Sequence, residues 1–246
     1  MTAAAISAAA APVWASAAAA RAGSAGFAGS SYDAYRAGVR GLLDEGVSLA
    51  GRLDTVALAG EPAIVLSEEA GGIVHIELPA QPNGDTGYRG YVDAGHVGSD
   101  AEPEPVRTPA GDVGLASSPA DAETILAIAM RFEGVPYLWG GVEGAGIDCS
   151  GLIHIAARIG GRTVPRDAHH QWAATRAALG WGDLVPGDIL YFGSDASLTG
   201  IDHVGFYAGD DRMLHAPETG RVVVLEPLSR RARERSVAFG RLPSGG

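Results

Sequence analysis

The sequence predicts two packed units in series, a small antiparallel β-barrel followed by an α+β domain. Three observations carry this reading. The stretch "DAEPEPVRTPAGDVGLASS" at 100–118 mixes acid, proline and glycine without an apolar period, as a linker does. Before it, short β-favouring runs alternate with Gly, Pro and Asn-Gly punctuation. After it, helical periods come first and strand-like runs later, the order of an α+β domain. The domains are thus expected at 1–99, with an insertion at about 19–45, and at 119–246, joined by the linker 100–118. A chain of 246 residues with 46% hydrophobic content can bury a core in each.

In chain order, the opening "MTAAAISAAAAPVWASAAAA" offers A-x-A sites but has no basic start and no strong Leu/Val/Phe run, so it reads as mature sequence rather than a leader. "APVWAS" is the expected first strand, and "DAYRAGVRGLLDEG" a short helix inside the insertion. Ala63 to Leu66, Ile73 to Leu78 and Gly90 to Val92 read as further strands. In the second domain Ser118 is the expected N-cap of a helix with Pro119 at its first position and Asp121 at its third. Ile125, Ile128 and Phe132 share a face of it, and Gly134 ends it. A second helix is expected from about Ser150, where Leu152, Ile155, Ala156 and Ile159 form a stripe up to Gly160-Gly161, and a third near 167–179. "DILYFG", "HVGFYAG", "RMLHAP" and "RVVVLEPL" then read as strands.

Charge and composition narrow the function. Eighteen Lys and Arg against 29 Asp and Glu leave a net charge of -11, which repels phosphate backbones and anionic bilayers, so no nucleic-acid partner is expected. No run approaches eighteen strongly apolar residues, so a membrane span is not expected and a soluble protein is. The arginines of "RRARER" read as a solvated face. One cysteine allows no internal disulfide and decides nothing about compartment.

A lone cysteine is usually a small buried hydrophobe. Cys149, however, falls at the start of the second helix, where the macrodipole and open N–H groups stabilise a thiolate. Such a sulfur needs a base, and seven histidines are candidates. His75 and His96 belong to the barrel, His154 points off its helix's apolar stripe, and His169 and His170 sit on a polar face; solvated or hydrogen-bonded roles are expected for these five. His203 and His215 begin and end two strands joined by the turn "GDD", so a hairpin would bring them together. One could act as base while the other orients its ring. Zinc fits the same histidines poorly, with no second Cys and no H-x-x-x-H helix, and no metal or cofactor is expected. Trp139, followed by Gly140 and Gly141 that allow close approach, reads as the wall of a groove, and Arg166 as a brace of the fold.

The motifs "GVPYLWGG", "GIDCSGL", "VPRDAHHQW", "LVPGDILYF", "DHVGFYAGDDRMLHAP" and "FGRL", in this order over about 119–241, resemble the NlpC/P60 cysteine peptidases, papain-like enzymes that cut bacterial cell-wall peptides. The resemblance implies Cys149 as nucleophile, His203 as base, His215 as the orienting third residue, and Tyr137 as a group that positions the scissile carbonyl. The first unit is similar, through "LDTVALAGEPAIVL" and "GYRGYV", to the SH3-like barrels of a subgroup that trims liberated muropeptides, in which the barrel closes one end of the groove. The implied cut lies between D-Glu and the diamino acid of L-Ala-γ-D-Glu-L-diamino acid. A protonated amine in a closed pocket demands a carboxylate; Asp148 is the expected partner, with Asp54, Tyr88 and Ser150 as further substrate contacts. A monomeric, cytoplasmic enzyme is expected; the alternative is a secreted or wall-associated hydrolase of intact stem peptides. Two positions depart from the family pattern: Ala168 stands where Ser or Thr often contacts substrate, and Gly90-Tyr91 where many such barrels have Gly-Trp.

Overall fold

Alanine is the best helix former, yet the alanine-rich start of the chain is extended. β1 (Thr2–Ile6) and β2 (Ala10–Trp14) are strands, so "APVW" is the second strand and not the first. Pairing overrides propensity here: β1 runs antiparallel to β4 (Pro62–Glu69), Ala3 opposite Ile64, and β2 antiparallel to β3 (Leu53–Leu58), Ala11 opposite Ala57. The computed structural model describes residues 1–242 except 28, 47, 176, 178 and 198. Contacts group it into two units, Met1–Pro105 with Leu138–Gly141, and Val106–Tyr137 with Val142–Gly246.

In the first unit, β5 (Ile73–Asn83), β6 (Thr86–Asp93) and β7 (Val97–Gly98) complete one antiparallel sheet of order β3-β2-β6-β5-β4-β1-β7. Among the described residues no pairing joins the end strands β3 and β7, so the strand pairings do not close the barrel expected from sequence. Ile6, Val13, Ile76, Leu78 and Val92 pack inside. Two helices occupy the expected insertion rather than one, α1 (Ala17–Gly23) and α2 (Tyr32–Glu45). Ser16 and Ser31 cap them, accepting from the Ala19 and Ala34 N–H groups, and α2 stops at Gly46 with φ +63°.

The second unit begins with α3 (Ala122–Met130), three residues later than read from sequence. Asp121 is its N-cap, accepting from the Thr124 N–H at 2.8 Å, whereas the preceding Ala120 donates its N–H to the Gly160 carbonyl and is thereby held outside the helix. After the short strands β8 (Val142–Glu143) and β9 (Gly146–Ile147) comes α4 (Cys149–Ile159), buried on nearly every face between α3 and the sheet. α5 (Ala168–Thr175) follows; the helix expected to about 179 would run over residues 176 and 178, which lie outside the described residues. β10 (Ile189–Gly193), β11 (Ile201–Tyr207), β12 (Arg212–His215), β13 (Val224–Pro227) and, after α6 (Arg230–Arg235), β14 (Ser236–Gly240) form an antiparallel sheet of order β13-β12-β11-β10-β14. α6 carries the "RRARER" arginines, of which Arg230 pairs with Glu234, Arg233 with Asp211 and Arg235 with Asp202. No described helix is long and apolar enough to cross a membrane.

Candidate active site

Asp148 starts α4 by accepting the Gly151 N–H on Oδ1 at 2.6 Å, which makes Cys149 the first residue of the helix. The cysteine keeps partial exposure, as a nucleophile must. Its sulfur meets the N–H groups of Ser150 in its own helix and of Val204 in β11, and both favour the thiolate. Burial outweighs them, and the Asp148 charge adds to it, so the thiol is pushed up to about 12. The acidic thiol expected from the helix end alone is therefore corrected: burial shifts the sulfur toward its neutral form.

The Val204 N–H that meets the sulfur belongs to the residue after the expected base on β11. His203 precedes Val204, and β11 turns into β12 through Gly209, Asp210 and Asp211, all at positive φ. Tyr207 pairs with Met213 and Phe206 with Leu214. Continued one residue, this register sets Gly205 against His215, and a Cβ on Gly205 would come within 2.9 Å of the His215 Cβ. Side chains alternate along a strand, so His203 and Gly205 share a face. The missing side chain lets His215 lean diagonally onto His203, with His203 Nε2 and His215 Nδ1 2.8 Å apart. Burial, reinforced by His215 and Arg235, pushes the His203 imidazolium down to about 3. Both shifts favour a neutral thiol–imidazole pair at rest, poised for proton transfer from sulfur to ring as the sulfur attacks.

The hydrogen-bond line goes one residue further than the sequence reading saw. His215 Nε2 lies 3.0 Å from Glu226 Oε1 on β13, and Glu226 Oε2 accepts from Arg221 Nη2 at 3.3 Å. Burial lowers the His215 pKa against the opposing pull of Glu226. No local motif announces Glu226, because only the β12–β13 register, with Met213 opposite Glu226 and His215 opposite Val224, brings it near.

Tyr137 is 7% exposed, and its phenol pKa is raised first by burial and then by the charges of Cys149 and Asp148. It stays a hydrogen-bond donor beside the sulfur, able to hold a carbonyl oxygen. Asp148 and Ser150 are joined to Arg166 in a buried network. Arg166, 1% exposed, donates from Nη1 to Asp148 Oδ1 at 3.0 Å and from Nη2 to Oδ2 at 2.7 Å. The Ser150 hydroxyl accepts from Arg166 at 2.9 Å and donates to Asp148 at 3.2 Å, and its carbonyl accepts from Gln171 Nε2 at 2.8 Å.

Asp54, half-buried on β3, Tyr88, in the apolar core on β6, and Trp139, 45% exposed, belong to the first unit. There Tyr91 stacks on His75 with ring centroids 4.5 Å apart. Ala168 opens α5. His154 is buried and hydrogen-bonds through Nδ1 to the Val164 carbonyl at 2.8 Å, and burial pushes its imidazolium down to about 3. Asp167, His169 and His170 have ligand atoms within 4.8 Å of one another, the described set that could hold a metal ion.

Residues 134–241 match the NlpC/P60 family. The chain is similar to a gamma-D-glutamyl-L-lysine dipeptidyl-peptidase of Bacillus subtilis, 37% identical over 116 residues, which are 47% of this chain and 39% of that protein. It is also similar to a bifunctional muramidase/DL-endopeptidase of the same organism, 33% identical over 160 residues, 65% of this chain and 45% of that protein. The matches span less than half the length of these relatives. A solved NlpC/P60 family protein from Bacillus cereus has a TM-score of 0.82 with this chain at 23% identity, over 98% of this chain and 100% of that one, a likeness of fold. Together the matches support an NlpC/P60 cysteine peptidase domain in the second unit.

Proposed function

We propose that the protein is a cysteine endopeptidase that hydrolyses the γ-D-glutamyl-L-diamino acid bond of free muropeptides bearing an N-terminal L-Ala. The observation that carries this reading is the placement of Cys149 at the start of α4 with its sulfur against β11, where His203 is hydrogen-bonded to His215. His203 takes the thiol proton as the sulfur bonds to the γ-carbonyl carbon, and Tyr137 holds the oxygen that becomes negative. The imidazolium gives its proton to the departing amine of the diamino acid, leaving a thioester. Water, deprotonated by His203, then releases L-Ala-D-Glu and restores the thiol. The names of the B. subtilis relatives, one a γ-D-glutamyl-L-lysine peptidase and one a DL-endopeptidase, support the bond chosen.

For the substrate amine we propose Asp148, the carboxylate beside the nucleophile. Because Arg166 already balances its charge, losing the amine leaves no buried orphan. Acetylating the amine should therefore cost about 1 to 3 kcal/mol, roughly fivefold to 150-fold in kcat/KM, less than an unpaired carboxylate would give. The test compares kcat/KM on L-Ala-γ-D-Glu-L-Lys, its meso-diaminopimelate counterpart and their N-acetyl forms, with purified sacculi alongside. A free-amine preference with inert sacculi fits the reading and a cytoplasmic site of action. Equal cleavage of free and acetylated peptides, with release from sacculi, would favour the wall-associated hydrolase instead.

A further inference from the structure

We infer that Glu226 is a positioning residue that fixes the direction of the hydrogen bond between His203 and His215, and so keeps the lone pair of His203 available to the thiol. The inference rests on the proposed role of His203 as base. A neutral imidazole carries one donor and one acceptor nitrogen, and an ionised carboxylate accepts only. Glu226 Oε1 lies 3.0 Å from His215 Nε2, so the His215 proton belongs on Nε2. His215 Nδ1 is then a lone pair, and it lies 2.8 Å from His203 Nε2, which must supply the proton between them. With its proton on Nε2, His203 has its lone pair on Nδ1.

One carboxylate thus orders the protons on four ring nitrogens. When His203 takes the thiol proton on Nδ1, the imidazolium goes on donating through Nε2 to His215, and no other proton has to move. The opposite polarity is available to the same two rings: His215 could donate from Nδ1 to His203 Nε2, placing the His203 proton on Nδ1 and removing the base. The two rings alone do not choose between these arrangements. The acceptor on β13 does, and Arg221, on its other oxygen at 3.3 Å, holds that acceptor in place. Glu226 is 38% exposed, so water can partly replace it, and the expected effect is moderate.

The experiment reads ring nitrogens and sulfur directly, without a peptide substrate. Nitrogen-15 NMR of the histidine rings is recorded for wild type, Glu226→Ala and Glu226→Gln, with the rate of Cys149 alkylation by iodoacetamide at pH 7 and thermal melting. The expected wild-type state has His203 and His215 both protonated on Nε2. Glu226→Ala should populate the Nδ1–H form of His215 and slow alkylation about tenfold, while Glu226→Gln, whose amide oxygen still accepts, should stay within about threefold. A wild-type His215 protonated on Nδ1 would overturn the inference, even if the alanine variant failed to fold. So would an unchanged tautomer and alkylation rate in Glu226→Ala. A failure to cleave muropeptides would count against the proposed function and leave these readouts intact.

Discussion

His169 and His170 are neighbours in sequence, and their rings lie 4.1 Å apart with planes at 49°. His203 and His215 are twelve residues apart, and their rings lie 5.0 Å apart with planes at 70°. Closeness is greater in the first pair, but direction exists only in the second. There a nitrogen of each ring faces the other at 2.8 Å, and the line ends on a carboxylate. In the first pair His170 Nδ1 is buried without a hydrogen-bond partner among the described residues, and burial and the neighbouring ring lower the His169 pKa. Adjacent residues on a helix acquire proximity from the chain itself, whereas the hairpin pair needs a turn, a register and a glycine. The lesson is that a proton path is read from which nitrogen meets which, more than from how near two rings are.

The sharpest break between the pairs should come from single replacements. His203→Ala is expected to lower kcat/KM on the free tripeptide by about a thousandfold or more with little change in melting, since the proton acceptor itself is gone. His169→Ala and His170→Ala should each stay within about threefold. Steady-state kinetics on the three variants decides it, and a loss at His170 as deep as at His203 would erase the distinction. Next in size is Gly205→Ala. Its Cβ would press to 2.9 Å on both the His215 Cβ and the Met213 Sδ, so His215 must shift, and misplacement of that order costs about a hundredfold. Full activity in this variant would show that the diagonal contact does not set the geometry.

Much of this was legible in the chain. The "GDD" turn between "HVGFYAG" and "RMLHAP" encodes the hairpin, and the stripe of Leu152, Ile155, Ala156 and Ile159 encodes the helix that starts at Cys149. What was not legible depends on distant pairing. β1 escaped notice because alanine carries no strand signal until Ile64 and its neighbours lie opposite it. The start of α3 was misplaced because the bond from Ala120 to the Gly160 carbonyl, which overrules Ser118 and Pro119, joins residues forty apart. Arg166 was read as a brace, but its two-pronged grip on Asp148, which changes what Asp148 can offer an amine, required the fold of the segment between them. The thiol pKa went the other way because desolvation, invisible in sequence, exceeds the helix-end effect.

Two smaller effects refine the comparison. His215→Asn should retain activity, reduced about tenfold, because an amide can still accept from His203 Nε2. A loss equal to that of His203→Ala would mean that His215 does more than orient. The last effect is on stability. A buried base with a lowered folded-state pKa refuses protons that the unfolded chain takes up, so stability should fall as pH drops from about 6.5 towards 3 and should be independent of this group above neutrality. Between pH 7 and pH 5 His203 alone should remove about 2 kcal/mol. Denaturant unfolding should show this part of the acid loss disappearing in His203→Ala, with a smaller change in His169→Ala, whose ring is only half-buried. Parallel pH profiles for wild type and His203→Ala would contradict the buried neutral base.

The central claim, that Cys149 is the nucleophile for a γ-D-glutamyl bond, is tested most directly by mass-spectrometric product mapping on L-Ala-γ-D-Glu-L-Lys and its meso-diaminopimelate counterpart. Wild type and Cys149→Ser are compared at matched thermal stability. The account predicts L-Ala-D-Glu and the diamino acid as products of the wild type on at least one peptide, and none from Cys149→Ser, because a serine hydroxyl is far less acidic and is not activated by an imidazole matched to a thiol. The same products at a comparable rate from Cys149→Ser, or cleavage by the wild type only at another bond, would contradict it.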